Sequence, residues 1–396
     1  MVMAGSDIDE SFIPSPPSDL SDSSDTQQAL PVPLRGRSDM LDIPRPLRAV
    51  RYSMHNRRWA QTSNCAKGVK EPLPSSIRLM TWNVDFASRN PKKRLVGALT
   101  YIQQDVFGCK TPSERPEPCC ILLQEVSVTA FTLILTNEWV QRCFVAVPSS
   151  TDKWPHGATY GTVTLVARTV PVCGAFTIDF SNSRMHRNAL FVDVKLAVPA
   201  PRHAPRLSDG IIKLRIANTH LESLPVGARA RPEQLKIIAE SLQEYDLYGG
   251  VVGGDMNAIG PSDLTTAEDV GLMDAWQGGD EDEQSYTWGY QPPCEFPAGR
   301  LDKVLWVARG GVDVEEPVRV GIEAKTATGS WISDHYGLVT NVHIACEIAK
   351  GLTYGAKAGT SLRVVVLSEL PLSTTTEPLR IGIMSDVEGR LVDGQD

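Results

Sequence analysis

A single domain of mixed strands and helices is predicted between residues 77 and 346, and three features of the sequence predict it. Residues 119–123 form an unbroken apolar run that ends at Gln124-Glu125, as a strand buried on both faces does. Residues 211–217 alternate apolar and polar side chains with the period of two that marks a half-buried strand. Residues 231–245 place Leu235, Ile238, Ala239 and Leu242 at i, i+3, i+4 and i+7, with Pro232 in the first turn, which is the pattern of an amphipathic helix.

The other elements follow along the chain. Residues 77–82 read as a short strand that delivers Asn83. Residues 159–166 and 189–196 are β-branched and apolar, and both read as strands. Residues 248–252 lead into Gly253-Gly254-Asp255, and residues 301–307 and 336–344 complete the set. Nothing inside this block reads as a linker, and no repeat of fixed period is present. Residues 1–74 are rich in Ser, Pro, Asp and Arg and are expected to be disordered or linker. Their first part carries only acidic charges, whereas residues 35–70 hold seven Arg and two Lys against Asp39 and Asp42. That second stretch can meet phosphates, though a solvated tail is the plainer reading. Residues 347–396 turn Gly-, Thr- and Ser-rich, with residues 361–367 as a candidate extra strand and no identifiable chemistry.

The 396 residues suffice for one large domain with tails, and 42% hydrophobic content can build its core. A net charge of -8 argues against a general nucleic-acid coat. Eight scattered cysteines form no Cys-x-x-Cys pair, the N-terminus lacks a signal-peptide pattern, and no apolar run approaches the roughly 18 residues of a membrane span. A soluble, intracellular protein with no membrane partner is expected. Oligomeric state is not legible.

Five strings carry the chemistry: Thr81-Trp82-Asn83-Val84-Asp85, Leu123-Gln124-Glu125-Val126, Asn218-Thr219-His220-Leu221-Glu222-Ser223, Gly253-Gly254-Asp255-Met256-Asn257 and Ser333-Asp334-His335. Each puts a carboxylate, amide or imidazole at the end of an apolar run. Hydrolysis of a phosphodiester needs a cation on the phosphoryl oxygens, an activated water and donors for developing charge. Glu125 is the candidate carboxylate for the cation. Asp255 can take a proton from water while Asn257 orients water or phosphate. His335 can stabilise phosphoryl charge if an acid such as Asp302 fixes its tautomer, and His220 offers a second donor beside the Ser223 hydroxyl. Each string alone also fits a plain turn or a core histidine; the ordered set is what points to an enzyme. No His-x-x-x-His spacing or Cys cluster supports zinc, so a hard, oxygen-ligated metal is favoured.

In this order the strings resemble the endonuclease/exonuclease/phosphatase superfamily, and within it the 5′-tyrosyl-DNA phosphodiesterases. Met185-His186-Arg187-Asn188, Asp274-Ala275-Trp276, Tyr286-Thr287-Trp288 and Ser333-Asp334-His335-Tyr336-Gly337-Leu338 carry the narrower likeness. The resemblance implies an α+β fold, a four-layer αββα sandwich of two packed, mostly antiparallel sheets flanked by helices. It implies a catalytic domain over residues 77–346 that hydrolyses 5′-phosphotyrosyl DNA ends left by topoisomerase II adducts, leaves a 5′-phosphate, and works in the nucleus, with the cytoplasm as a further site. By the same resemblance Glu125, Asn83 and Asp334 hold Mg²⁺, with Mn²⁺ as the alternative. Asp255, Asn257, His335, His220, Asn83, Asp302 and Ser223 are catalytic, and Arg187, Asn188, Trp288, Arg229 and Arg231 contact substrate. A deadenylase-like RNase, an abasic-site endonuclease and an inositol or lipid phosphatase share this core and stay open as alternatives. Two departures stand out. Phe86 follows Asp85 where relatives usually have Gly, and Asn257 is followed by Ala258 rather than a basic residue.

Overall fold

The structure, a computed structural model, describes residues 41–62, 72–199, 210–279, 281–309 and 311–345. The expectations for the acidic N-terminus, residues 63–71 and the C-terminal tail with its extra strand lie outside the described residues. In chain order the elements are β1 (Arg45–Pro46), β2 (Val50–Ser53), β3 (Arg58–Gln61), β4 (Ser76–Asn83), α1 (Pro91–Tyr101), β5 (Cys119–Ser127), α2 (Phe131–Thr136), α3 (Glu138–Cys143), β6 (Phe144–Val147), β7 (Tyr160–Ala167) and β8 (Val172–Asp179). They continue with β9 (Asn188–Ala197), β10 (Ile211–His220), α4 (Ala230–Leu242), β11 (Gly249–Asp255), α5 (Thr266–Asp269), β12 (Met273–Asp274), β13 (Asp302–Trp306), β14 (Val312–Val314), β15 (Val318–Val320) and β16 (Gly337–Ile344).

Among the described residues these strands form two sheets. One has seven strands in the order β1-β8-β9-β10-β11-β13-β12, and the other has nine, in the order β14-β16-β4-β5-β7-β6-β2-β3 with β15 beside β16. Neighbours are antiparallel except for one parallel pair at the heart of each sheet, β10 with β11 and β4 with β5.

Period-two alternation sets the layers. In the seven-stranded sheet Leu190, Val192, Leu214, Ile216, Val251, Val304 and Trp306 join the large core shared with the other sheet. Their neighbours Ala189, Phe191, Ala217, Val252 and Leu305 face the other way, onto Leu235, Ile238, Ala239 and Leu242 of α4. The nine-stranded sheet is covered on its far side by α1, whose Leu95, Ala98 and Leu99 enter the large core. The order helix, sheet, sheet, helix is the four-layer sandwich expected from the resemblance. Every strand expected between residues 77 and 346 is present, within a few residues at its ends, and α4 matches the expected helix but stops at Leu242.

One expectation is corrected. Part of the stretch expected to be disordered, residues 45–61, forms β1, β2 and β3. β2 extends the nine-stranded sheet along β6, Ala49 and Val50 are buried, and the Trp59 indole N–H donates to Leu135 O at 3.0 Å. The Arg- and Pro-rich composition hides these strands, because β1 and the β2–β3 hairpin are tied to the rest of the fold through β8 and β6, far along the sequence.

At Gly253 and Gly254 of β11 side chains are excluded. A Cβ on Gly253 would sit 2.9 Å from Leu122 Cδ1 of the facing sheet, and one on Gly254 would fall inside the radius of Thr219 O of the neighbouring strand β10. A buried polar bridge spans the gap nearby: Gln124 Nε2 donates to Asn218 Oδ1 at 2.8 Å and to Thr81 Oγ1 at 2.9 Å. Asn218 Nδ2 in turn donates to Val163 O at 3.0 Å. Because the obstacle at position 254 is backbone, Gly254→Ala is expected to lower the unfolding free energy by about 3 kcal/mol, the upper end of the usual overpacking cost. Denaturant titration measures this, and a wild-type midpoint would show that the strand can move aside.

Candidate active site

All the chemistry-bearing strings arrive at one edge of the sandwich, and strand direction is the reason. β4, β5, β10 and β11 end there with Asn83, Glu125, His220 and Asp255, because each central pair is parallel. The antiparallel strands β13 and β16 start there, so Asp302 opens one and Asp334-His335 precede the other. Register makes neighbours of the key residues: His220 pairs with Asp255 across the parallel pair, and Asp255 with Asp302 across the antiparallel one.

Asp255 is at the centre. Its Oδ2 accepts from Asn83 Nδ2 at 3.0 Å and lies 3.3 Å from His220 Nε2 and 3.8 Å from His335 Nε2. Its Oδ1 accepts the Asn257 N–H at 2.9 Å. Burial pushes the Asp255 carboxyl up to about 6, with His335 opposing and Asp302 adding to the rise.

The two imidazoles are set to opposite states. Arg187 Nη1, which can only donate, lies 2.9 Å from His220 Nδ1. Nδ1 is therefore the acceptor and the proton sits on Nε2, facing Asp255. Burial and the Arg187 charge hold His220 well below the usual histidine range, so it is neutral. His335 Nδ1–H donates to Asp302 Oδ2 at 2.7 Å. Burial alone would lower the His335 pKa, but the Asp302, Asp334 and Asp255 charges outweigh it and hold the ring well above the usual range. It is an imidazolium with Nε2–H turned to the pocket.

Glu125 owes its aim to a break in pairing. The register between β5 and β7 shifts between Leu123 and Val126, and Glu125 takes a left-handed conformation with φ 57°. Such bulges re-aim a side chain, and here Glu125 turns to the pocket mouth, where its Oε2 accepts the Phe86 N–H at 3.1 Å. Burial lifts its carboxyl to about 7, relieved by His335 and reinforced by Asp334 and Asp255. Asp334 accepts from Trp288 Nε1 at 3.1 Å, and its carboxyl is raised by burial.

The donor set suits a hard divalent cation. Four carboxylates crowd one buried volume, and Asp302 Oδ1 has no hydrogen-bond partner there. Ligand atoms of Asp255, Asp302 and His335 fall within 4.8 Å of one another. A charged His335 bonded to Asp302 has no lone pair to offer a metal, which leaves the half-buried Glu125 and Asp334 as the carboxylates open to one.

The sequence-predicted residues divide into three groups. Asn83, Glu125, His220, Asp255, Asp302, Asp334 and His335 come together. Asn257, in a left-handed conformation, joins them through its backbone, while its side chain donates to Leu221 O at 3.1 Å. Ser223 lies beside them, accepting from Arg187 Nη2 at 2.6 Å, and Trp288 forms one wall. The other substrate contacts need correction. Arg187 is buried and orients His220 and Ser223. Asn188 is a latch within its sheet, donating to Thr177 Oγ1 at 2.8 Å. Arg231, 1% exposed, forms a two-pronged ion pair with Asp263 at 2.8 and 2.7 Å and donates to the Glu222 and Leu224 carbonyls, so it cannot reach substrate. Arg229 alone of the four is exposed.

Three supporting residues escaped sequence reasoning. Tyr160 lies beneath Arg187, whose Cζ is 5.2 Å from the ring centroid. Gln291 Nε2 clamps the Ser333 and His335 carbonyls at 3.1 and 3.2 Å. Thr287 Oγ1 receives the Leu301 and Asp302 N–H groups. Only Thr287, inside a quoted string, carried a signal.

Comparison with known proteins agrees with this geometry. A family described as the Endonuclease/Exonuclease/phosphatase family matches residues 80–335, a span that contains every residue of the pocket. Tyrosyl-DNA phosphodiesterase 2 of Gallus gallus is 25% identical over 283 residues, 67% of this chain and 66% of that protein, so the chain spans slightly under two thirds of this relative. A crystal structure of TDP2 from C. elegans superposes with a TM-score of 0.52 at 22% identity, covering 69% of this chain and 78% of that one. D. rerio TDP2 complexed with single strand DNA product gives 0.51 at 20% identity, covering 68% and 99%. At these identities the two structures show the fold.

The reassignment of Arg231 is testable. Asp263→Ala leaves a buried guanidinium unpaired and is expected to cost about 3–5 kcal/mol of stability, read from chemical denaturation. A midpoint equal to wild type would return Arg231 to the list of substrate contacts.

Proposed function

The chain belongs to the Endonuclease/Exonuclease/phosphatase family, and on that premise we propose that it is a metal-dependent phosphodiesterase that hydrolyses 5′-phosphotyrosyl bonds on DNA and leaves a 5′-phosphate. The observation that carries the reading is the convergence of Glu125, Asp255, a neutral His220 and a charged His335 on one pocket. The chicken relative's name and the D. rerio product complex support the substrate. Topoisomerase II adducts are the source of such ends, and the nucleus is the place of work. Among the described residues no helix is long and apolar enough to cross a membrane.

Glu125, with Asn83 and Asp334 beside it, would hold Mg²⁺, with Mn²⁺ as the alternative. When bound, such an ion withdraws charge from the phosphoryl oxygens. Asp255 Oδ2, held by Asn83, takes the proton of the attacking water. His220 Nε2–H and His335 Nε2–H donate to the phosphoryl oxygens as charge builds. Arg187 and Asp302 keep the two rings in the required tautomers. The leaving tyrosine has a phenol pKa of about 10, so its phenolate departs with little acid assistance.

Asp255→Asn and Glu125→Gln are each expected to lower turnover of 5′-phosphotyrosyl DNA at least about 100-fold, with melting temperatures near wild type. Wild-type rates in both variants would refute the assignments. A panel of 5′-phosphotyrosyl DNA, abasic duplex, poly(A) and a phosphoinositide checks the substrate. Turnover of another member with none of the first would replace this reading. Chelation by EDTA is expected to abolish turnover and added Mg²⁺ to restore it; activity that survives chelation would exclude the metal.

A further inference from the structure

Phe86 has no part in the proton and phosphate chemistry above, yet it borders the pocket. Its N–H donates to Glu125 Oε2 at 3.1 Å, and its ring stacks on Tyr160 with centroids 3.7 Å apart and planes 18° from parallel. The turn that presents it is firmly held. Asp85, in a left-handed conformation with φ 51°, accepts the Ala87 and Ser88 N–H groups at 3.0 Å and pairs with Arg94 Nη2 at 2.6 Å.

Tyr160 is covered on both faces. The Arg187 guanidinium carbon lies over its ring at 5.2 Å from the centroid. A partner stacked at 3.7 Å leaves no room for that group on the same side, so Arg187 occupies one face and Phe86 the other. Burial holds the Tyr160 hydroxyl above the usual tyrosine range, with Arg187 opposing and Glu125, Glu222 and Asp255 adding to the rise. Both rings are half-buried at the rim. An aromatic group entering beside Glu125 therefore cannot stack on Tyr160. The outer face of Phe86, fixed one hydrogen bond from that carboxylate, is the aromatic surface it meets. Trp288 belongs to a different wall, tied to Asp334 and tilted against Phe296 with centroids 6.5 Å apart.

We propose that Phe86 is a specificity-determining residue whose exposed ring face receives an aromatic leaving group at the Glu125 side of the pocket. This rests on the reading of the site as one that cleaves aryl phosphodiesters. The physical basis is ring-on-ring packing, which favours an aryl group over an aliphatic group of similar size through quadrupole and dispersion contact. Gly at this position would remove that face and bare Tyr160 instead.

The test separates leaving-group shape from leaving-group acidity. One oligonucleotide is prepared as its 5′-phosphotyrosyl ester and as a 5′-phosphate ester of a fluorinated secondary alcohol of comparable pKa. kcat/KM is measured for both with the full chain, in wild type, Phe86→Leu and Phe86→Trp. The aryl-to-fluoroalkyl ratio is expected to fall about two- to tenfold in Phe86→Leu and to be retained in Phe86→Trp. An unchanged ratio in Phe86→Leu overturns the proposal, as does an equal loss on both esters, which would make Phe86 a structural prop. Both results leave the proposed function intact, whereas a wild-type chain inert on the phosphotyrosyl ester sinks that function and this inference together.

Discussion

Two contacts across the gap between the sheets make the pocket one object. Asp302 of the seven-stranded sheet grips His335 at the threshold of the nine-stranded one, and Asn83 reaches back to Asp255. Such buried polar links contribute little net stability, since desolvation offsets much of their attraction. Their effect is geometric: they set the distance between the Asp255 carboxylate and the charged His335 ring, carried by different sheets. Within the nine-stranded sheet, Trp82 fixes the backbone of His335 by donating its indole N–H to His335 O at 3.0 Å, and Ser333 Oγ donates to Asn83 O at 2.6 Å.

The electrostatic character of the site follows from that seam. Glu125, Asp255, Asp302 and Asp334 are gathered where water is largely excluded, so their mutual repulsion is poorly screened. His335 answers part of the imbalance and carries its charge because of it. His220 is held neutral first by burial and then by Arg187, through contact and field. Two histidines on neighbouring sheets thus acquire different jobs from their surroundings alone. The remaining excess of negative charge and of oxygen donors is what a divalent cation would satisfy.

How much of this was legible beforehand varied from residue to residue. The strands that deliver Asn83, Glu125, His220 and Asp255 announce themselves by apolar runs and by alternation, since burial on one or both faces imposes those patterns locally. β1, β2 and β3 did not, because β1 is ordered by pairing with β8 and the β2–β3 hairpin by pairing with β6, and their composition carries no trace of either. Arg231 shows the limit for the site: an arginine near a phosphate motif invites a substrate role, and only its enclosure by Asp263 and two carbonyls reveals a structural one. Tyr160 and Gln291 gave no signal, because their importance lies in which distant groups they touch.

The sequence by itself determined which side chains are the candidates for the chemistry and which strand ends they occupy, because periodicity and turn residues are written into short stretches. The tertiary structure alone decided that these ends share one edge, which imidazole is charged, and that a bulge turns Glu125 toward the mouth. Those outcomes depend on strand direction, sheet spacing and burial, which arise between segments as much as 253 residues apart.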